Sequence, residues 1–397
     1  MRLNTLSLLL VATLLGCNPD NKTPIDKLND VVIALNENPS FEYIAYYDKK
    51  QDGVTLKDTS SVFIEKSIEQ GLLPLKYVFE STMGDIQLFD GESFNTIINS
   101  ERTIIHEENP PTHLIVSNQG LFFSPFYIQS YLKHLLENDK DAIKYLGDTL
   151  LGNKKARQYE INTNYIYLLD GKTVRNGDIL PNQMKAENIN KKHVLTIDAG
   201  SNYPLSIKEV YSNNDYIEVS FSDFSNSVKT YRDRAKIIDD SKYLTLSTTD
   251  YMQIQISKQK EILGNMAEDF TLPLFPETEI SLSELNNSPV LLEFWFPGCG
   301  FCIEAIPSVN DIFEKYKSKG LKIFGIEFSD ATEEHISNFI VKNKVMFPIL
   351  MNGKSISLAY GVNSGPTLVL LDKDHKVVYL RNGLDYEELV AQLEKVL

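Results

Sequence analysis

Two cysteines stand three residues apart in Cys299-Gly300-Phe301-Cys302. The apolar run Pro289–Phe296 (PVLLEFWF) precedes them, and Pro297-Gly298 makes a turn in between. After them Ile303, Ile306, Val309, Phe313 and Tyr316 recur at helical spacing. Two thiols on the first turn of a helix lie on the same side, close enough for a disulfide. The helix N-terminus offers unpaired N–H groups and a positive dipole end, which favour thiolate, so Cys299 is expected to have a lowered pKa. Cys302 lies one turn deeper. The expected roles follow: Cys299 attacks a partner's disulfide and Cys302 resolves the mixed disulfide, so the pair cycles as a redox-active disulfide. A zinc site would need about four ligands. There is no second CxxC, and His335 and His375 are not paired with a cysteine. Neither a metal nor another cofactor is expected, and a purely structural bond here would close too small a loop to constrain the chain.

Glu293 interrupts the apolar run as VLLEFWF. A carboxylate in a strand buried on both faces is costly, so a raised pKa or a partner is expected.

The elements that must position these groups form an α/β pattern. Pro289–Phe296 and Leu321–Phe328 read as strands, Cys302–Lys319 and Thr332–Asn343 as helices. Thr367–Leu371 and Lys376–Leu380 flank a turn at Asp372–His375, and Tyr386–Leu397 reads as a last helix. Asp385 would cap it in a capping box with Glu388. Upstream the pattern is different. Short strand-like runs such as Phe41–Tyr47, Val62–Glu65, Tyr77–Phe79, Thr96–Ile98, Tyr165–Leu169 and Tyr216–Phe221 are separated by turn signals. Ile128–Leu136 is the clear helix, with Lys140–Leu146 as a second candidate. The expected organisation is a signal peptide at 1–16, a lipidated tether at 17–29, a mostly antiparallel β-rich α+β domain at 30–257, a linker at 258–264 and an α/β domain at 265–397.

The start of the chain carries the signal. Arg2 is followed by the apolar Leu6–Leu15 (LSLLLVATLL), too short to span a bilayer and right for a secretory signal. It ends Leu14-Leu15-Gly16-Cys17, which resembles the bacterial lipobox, in which the cysteine is lipidated and becomes the first mature residue. That resemblance implies attachment to a membrane surface through lipid at Cys17. The chain of 397 residues has 39 Lys plus Arg against 54 Asp plus Glu, a formal charge of −15, which argues against a nucleic-acid partner. The histidines His106, His113, His134 and His193 lack metal spacing and read as packed or surface residues.

The last third of the chain resembles the TlpA/ResA-like branch of the thioredoxin superfamily. Met266–Leu272 (MAEDFTL) is similar to its entry segment, Trp295–Cys302 (WFPGCGFC) to its WxxxCxxC signature, and Pro307 to its helix-kinking proline. Ser364–Leu371 (SGPTLVLL) is similar to its cis-proline loop and following strand. The resemblance implies a thioredoxin fold, with a cis bond before Pro366 packed on the dithiol and a Gly365 backbone that pairs with an extended substrate chain. It also gives Glu293, six residues before Cys299, the role of the buried acid that moves protons for the second cysteine. Two positions depart from the pattern. Gly298 stands where thioredoxins carry Trp, and Ala305 where ResA-like members carry an acid, leaving Glu304 as a solvated helix residue. A peroxiredoxin site would need Thr three residues before its cysteine, where Cys299 has Phe296.

Ile86–Ile98 and Leu195–Phe224 resemble the LolA/LolB-like lipoprotein-carrier fold, a curved antiparallel sheet around an apolar groove with room for an apolar ligand. The reading is a thiol-disulfide oxidoreductase on the periplasm-facing side of a bacterial envelope membrane, reducing a disulfide-containing partner and recharged by an upstream electron donor. The competing reading is a non-catalytic lipid- or lipoprotein-binding carrier with a redox-sensing dithiol.

Overall fold

The computed structural model describes residues 22–51, 54–67, 73–81, 86–110, 123–168, 171–179, 185, 188–211, 215–226, 229–236, 238–285, 287–297 and 299–397. The segment expected to hold a signal and a lipobox, with Cys17, lies outside the described residues, as do His113 and Gly298. Among the described residues, no helix is long and apolar enough to cross a membrane.

Helix α1 (Lys27–Asn36) leads into β1 (Ser40–Gln51), β2 (Val54–Lys66), β3 (Leu75–Ser81), β4 (Ile86–Phe89), β5 (Ser93–Ile98) and β6 (Thr103–Glu108), an antiparallel meander. After α2 (Pro125–Asn138) come β7 (Ile143–Leu151) and β8 (Lys154–Thr163), then a small hairpin of β9 (Tyr165–Tyr167) and β10 (Thr173–Arg175). The second meander closes with β11 (Lys191–Asp198), β12 (Pro204–Val210) and β13 (Tyr216–Asn226), and β13 pairs antiparallel with β1. Helix α3 (Tyr231–Ala235) precedes β14 (Leu244–Ser247), which pairs parallel with β6. The result is a twelve-stranded sheet in the order β14-β6-β5-β4-β3-β2-β1-β13-β12-β11-β8-β7.

Two helices supply much of its core. Helix α1 buries Leu28, Val31 and Leu35 on one face; α2 buries Ile128, Tyr131, Leu132 and Leu135 on one face and, at its first turn, Phe126 and Tyr127 as well. Ser124 caps α2 by accepting from Tyr127 N at 3.3 Å, with Pro125 preset for the first turn. The expected helix Ile128–Leu136 thus extends further at both ends. Lys140–Leu146 is not a helix: a single 3₁₀ turn at Lys140–Ala142 passes straight into β7, where burial alternates with period two against β8.

Helix α4 (Thr248–Ile262) connects the two sheets. Residues 258–262, expected in a linker, lie inside it. It buries only Tyr251 and Gln255, so it has no apolar stripe to mark it in the sequence. Its holds are polar. Tyr251 Oη donates to Glu101 at 2.8 Å, and Gln259 Nε2 donates to Gly361 O at 2.8 Å.

The second sheet contains β15 (Thr271–Leu274), β16 (Thr278–Ser281), β17 (Val290–Trp295), β18 (Lys322–Glu327), β19 (Ile349–Leu350), β20 (Thr367–Leu371) and β21 (Val377–Asn382). Its order is β16-β15-β19-β18-β17-β20-β21, with β17 parallel to β18 and antiparallel to β20. This is the thioredoxin arrangement. Helix α5 (Gly300–Tyr316) follows β17 and α6 (Glu333–Asn343) follows β18; α7 (Lys354–Ala359) and α8 (Tyr386–Val396) complete the set. All six residues of β17 are buried. Strand alternation sends Leu291 and Trp295 into the core under α5, α6 and α8, and Val290, Leu292 and Phe294 into the opposite core with Ile356 and Tyr360. Asp385 caps α8 by accepting from Glu388 N at 3.1 Å, but the Glu388 carboxylate pairs with Arg381 instead of closing the box.

Candidate active site

The turn after β17 delivers Cys299 to the N-cap of α5, and Cys302 follows one turn inside. The two are joined in a disulfide, with Cα atoms 5.2 Å apart. Cys302 N donates to Cys299 Sγ at 3.1 Å, so a main-chain N–H of the first helical turn already points at the first sulfur. Cys299 is 5% exposed and Cys302 1%, while Phe301 between them is 73% exposed.

The loop before β20 closes over the pair. The Gly365–Pro366 peptide is cis. A β-carbon on Gly365 would lie 2.8 Å from Cys302 Sγ, 3.4 Å from Cys299 Sγ and 3.3 Å from Phe294 O. Only a residue without a side chain fits there. The loop is tied down by Thr367 Oγ1, which lies 2.8 Å from Ser364 O and 2.9 Å from Asn382 Oδ1.

Glu293 sits beneath the disulfide on the face of β17 that α5 covers. It is 1% exposed, and Oε1 has no hydrogen-bond partner among the described residues. Burial pushes its carboxyl up to about 8. Trp295 Nε1 is equally unpartnered, and the indole stacks on Phe339 at 4.1 Å. Glu293, Trp295, Cys302, Ile306, Phe339, Val345, Phe347 and Ile349 surround a void too tight for a water molecule.

A second buried acid escaped the sequence reading. Glu327 ends β18 opposite Trp295 and is fully buried. Burial raises its pKa, while bonds accepted from Ser329 N at 2.6 Å and Ala331 N at 3.2 Å pull it back. The signal for it was the one that exposed Glu293: a carboxylate inside an apolar run, here LKIFGIEF. Unlike Glu293 it is satisfied, and it braces the loop after β18. Glu304 is exposed on α5, and Ala305 is buried. In the large sheet, His193 is buried against Glu209 at 3.5 Å and packed by Phe123 and Tyr131. Burial works against the Glu209 charge, but His193 and Lys191 bring its carboxyl down to about 2.

The AhpC/TSA family profile matches residues 263–380. The thiol-disulfide oxidoreductase ResA of Bacillus thuringiensis (strain Al Hakam) is 34% identical over 150 residues, 37% of this chain and 86% of that protein. The chain belongs to the ResA-type thiol-disulfide oxidoreductases. ResA of Geobacillus thermodenitrificans (strain NG80-2) is 28% identical over 153 residues, 38% of this chain and 87% of the relative. A thiol:disulfide interchange protein from Bacteroides sp. aligns in three dimensions at 26% identity, covering 34% of this chain and 88% of that one with a TM-score of 0.31. The ResA-like part is the dithiol-bearing sheet; the twelve-stranded sheet precedes the profile match.

Proposed function

We propose that this ResA-type protein is held at an envelope membrane through lipid on Cys17 and reduces disulfides of partner proteins with the Cys299/Cys302 pair. The observation that carries the reading is the dithiol itself, capped at a helix N-terminus, pressed by Gly365 and backed by an unpartnered Glu293. In the reduced protein the Cys299 thiolate attacks a partner disulfide. One partner sulfur leaves as a thiolate, and a mixed disulfide forms with the other. Cys302 then gives its proton to the ionised form of Glu293, a form that grows as pH approaches 8, and attacks Cys299 Sγ. The second partner thiolate leaves, and the Cys299–Cys302 bond forms. An external thiol donor returns the protein to the dithiol.

The backbone at Gly365 and Pro366 is the proposed edge for an extended partner segment. An extracytoplasmic location is supported by the signal-like Leu6–Leu15 and the lipobox ending at Cys17. The large sheet is read as a LolA/LolB-like curved sheet; its two antiparallel meanders and the pair of helices on its core support that reading. An apolar ligand remains a proposal for this part.

Insulin-disulfide reduction by the full chain tests the activity. Turnover by the parent protein with none by Cys299→Ser is the expected result. Equal activity of the two would defeat the assignment.

A further inference from the structure

At the β7 edge of the large sheet, a cavity of about 810 Å³ opens beside the start of α1. Four cations line it: Lys22, Lys27, Lys155 and Arg157. Two carboxylates, Asp30 and Asp148, also line it, but both are engaged. Asp30 pairs with Lys22 at 2.6 Å, and Asp148 accepts from Tyr145 Oη at 2.6 Å.

Arg157 is the anomaly. It is 6% exposed, it lies opposite Asp148 in the β7–β8 register, and yet no described carboxylate is within ion-pair distance of it. Its guanidinium donates to Asn202 Oδ1 and faces the Tyr159 phenol, both uncharged groups, and Nε has no partner among the described residues. A guanidinium keeps its charge at any physiological pH, and a buried charge without a counter-ion is unfavourable. In a protein of net charge −15, a cavity with excess positive charge around a buried arginine is built for an anion.

We propose that this cavity is a binding site for a phosphate group, and that the phosphate is carried by an anionic phospholipid headgroup. The lipid source rests on the anchoring proposed above; the phosphate site does not. Cys17 precedes Lys22 by five residues, so a fully extended tether reaches about 17 Å at most. The headgroup layer is roughly 5–7 Å deep on each side of a bilayer. A lipid on Cys17 would therefore hold the cavity within reach of the headgroups. The bidentate geometry of a guanidinium suits phosphate, and Lys27 and Lys155 add point charges at the rim.

The test uses the full chain carrying Cys17→Ser, so that no covalent lipid contributes. Inorganic phosphate is titrated calorimetrically, and sedimentation is followed with phosphatidylcholine vesicles with and without phosphatidylglycerol. Expected are phosphate binding, sedimentation only with phosphatidylglycerol, and competition between the two. Arg157→Gln weakens both by about tenfold or more. Because Arg157 is buried, the surface double variant Lys27→Gln/Lys155→Gln serves as a second probe and also weakens both. Phosphate binding without vesicle binding upholds the anion site and overturns the lipid source. No phosphate binding, or binding that neither variant alters, overturns the site. Failure of the anchoring itself is read separately, as wild-type protein recovered soluble with a free Cys17 thiol.

Discussion

Gly365 touches Cys302: a β-carbon at position 365 would stand 2.8 Å from the sulfur, closer than packed atoms allow. The cis-proline loop and the dithiol are therefore fitted to each other. Gly365→Ala should push them apart, at a cost of about 1–3 kcal/mol. The expected outcome is a lower melting temperature and slower insulin reduction, checked by thermal unfolding and turnover. A variant matching the parent in both would show that the loop yields freely.

The two cysteines should behave differently once the bond is opened. Cys299 caps the helix and receives the Cys302 N–H; Cys302 is the more enclosed. Cys302→Ser is expected to accumulate mixed disulfides with partners, and Cys299→Ser to form none. Alkylation of the reduced protein at neutral pH, read by mass spectrometry, should label Cys299 first. Earlier labelling of Cys302 reverses the roles.

Glu293 makes stability depend on pH with a defined sign. Its carboxyl holds its proton up to about 8 in the folded chain, against an ordinary value of 4.5. Between those values the folded state binds more protons than the unfolded one, so stability falls as pH rises through that window. Glu293→Gln should flatten the slope and unfold at higher denaturant than the parent above pH 8. The same variant should leave the first attack by Cys299 intact and slow the resolving step, followed by stopped-flow reduction of a model disulfide. An unchanged pH profile for resolution would assign Glu293 a structural role alone.

Anchoring has a direct readout. Cys17→Ala should leave the protein unprocessed or release it from membranes, as seen by fractionation and intact mass.

Much of the dithiol-bearing sheet was legible because its signals are local. β17 is apolar on both faces, and α5, α6 and α8 carry apolar residues at helical spacing. Glu293 was visible as a charge in a run that excludes charge. Glu327 carried the same signal, but its partners, the N–H groups two and four residues on, appear only when the loop folds back. The large sheet was harder. β7 lies at its edge and leaves Leu146, Leu150 and Leu151 exposed, so its sequence lacks the alternation of a half-buried strand. Helix α4 escaped because amide and phenol groups, not an apolar stripe, hold it in place. The tightness around Gly365 could not be read from sequence, since it depends on two segments some sixty positions apart meeting at van der Waals distance.

The strand order places the two ends of the large sheet at opposite tasks. The chain enters beside β8, where Tyr159 Oη holds Pro24 O at 2.9 Å, and leaves from β14 at the far edge into α4. Twelve strands make eleven steps of about 4.8 Å, roughly 50 Å counted along the sheet. On the anchored reading, the sheet is a gantry: it sets how far from the bilayer the dithiol can work. Deleting a pair of adjacent strands would shorten that reach by about 10 Å without touching a reacting atom. Which disulfides the protein meets would then be decided by altitude as much as by chemistry.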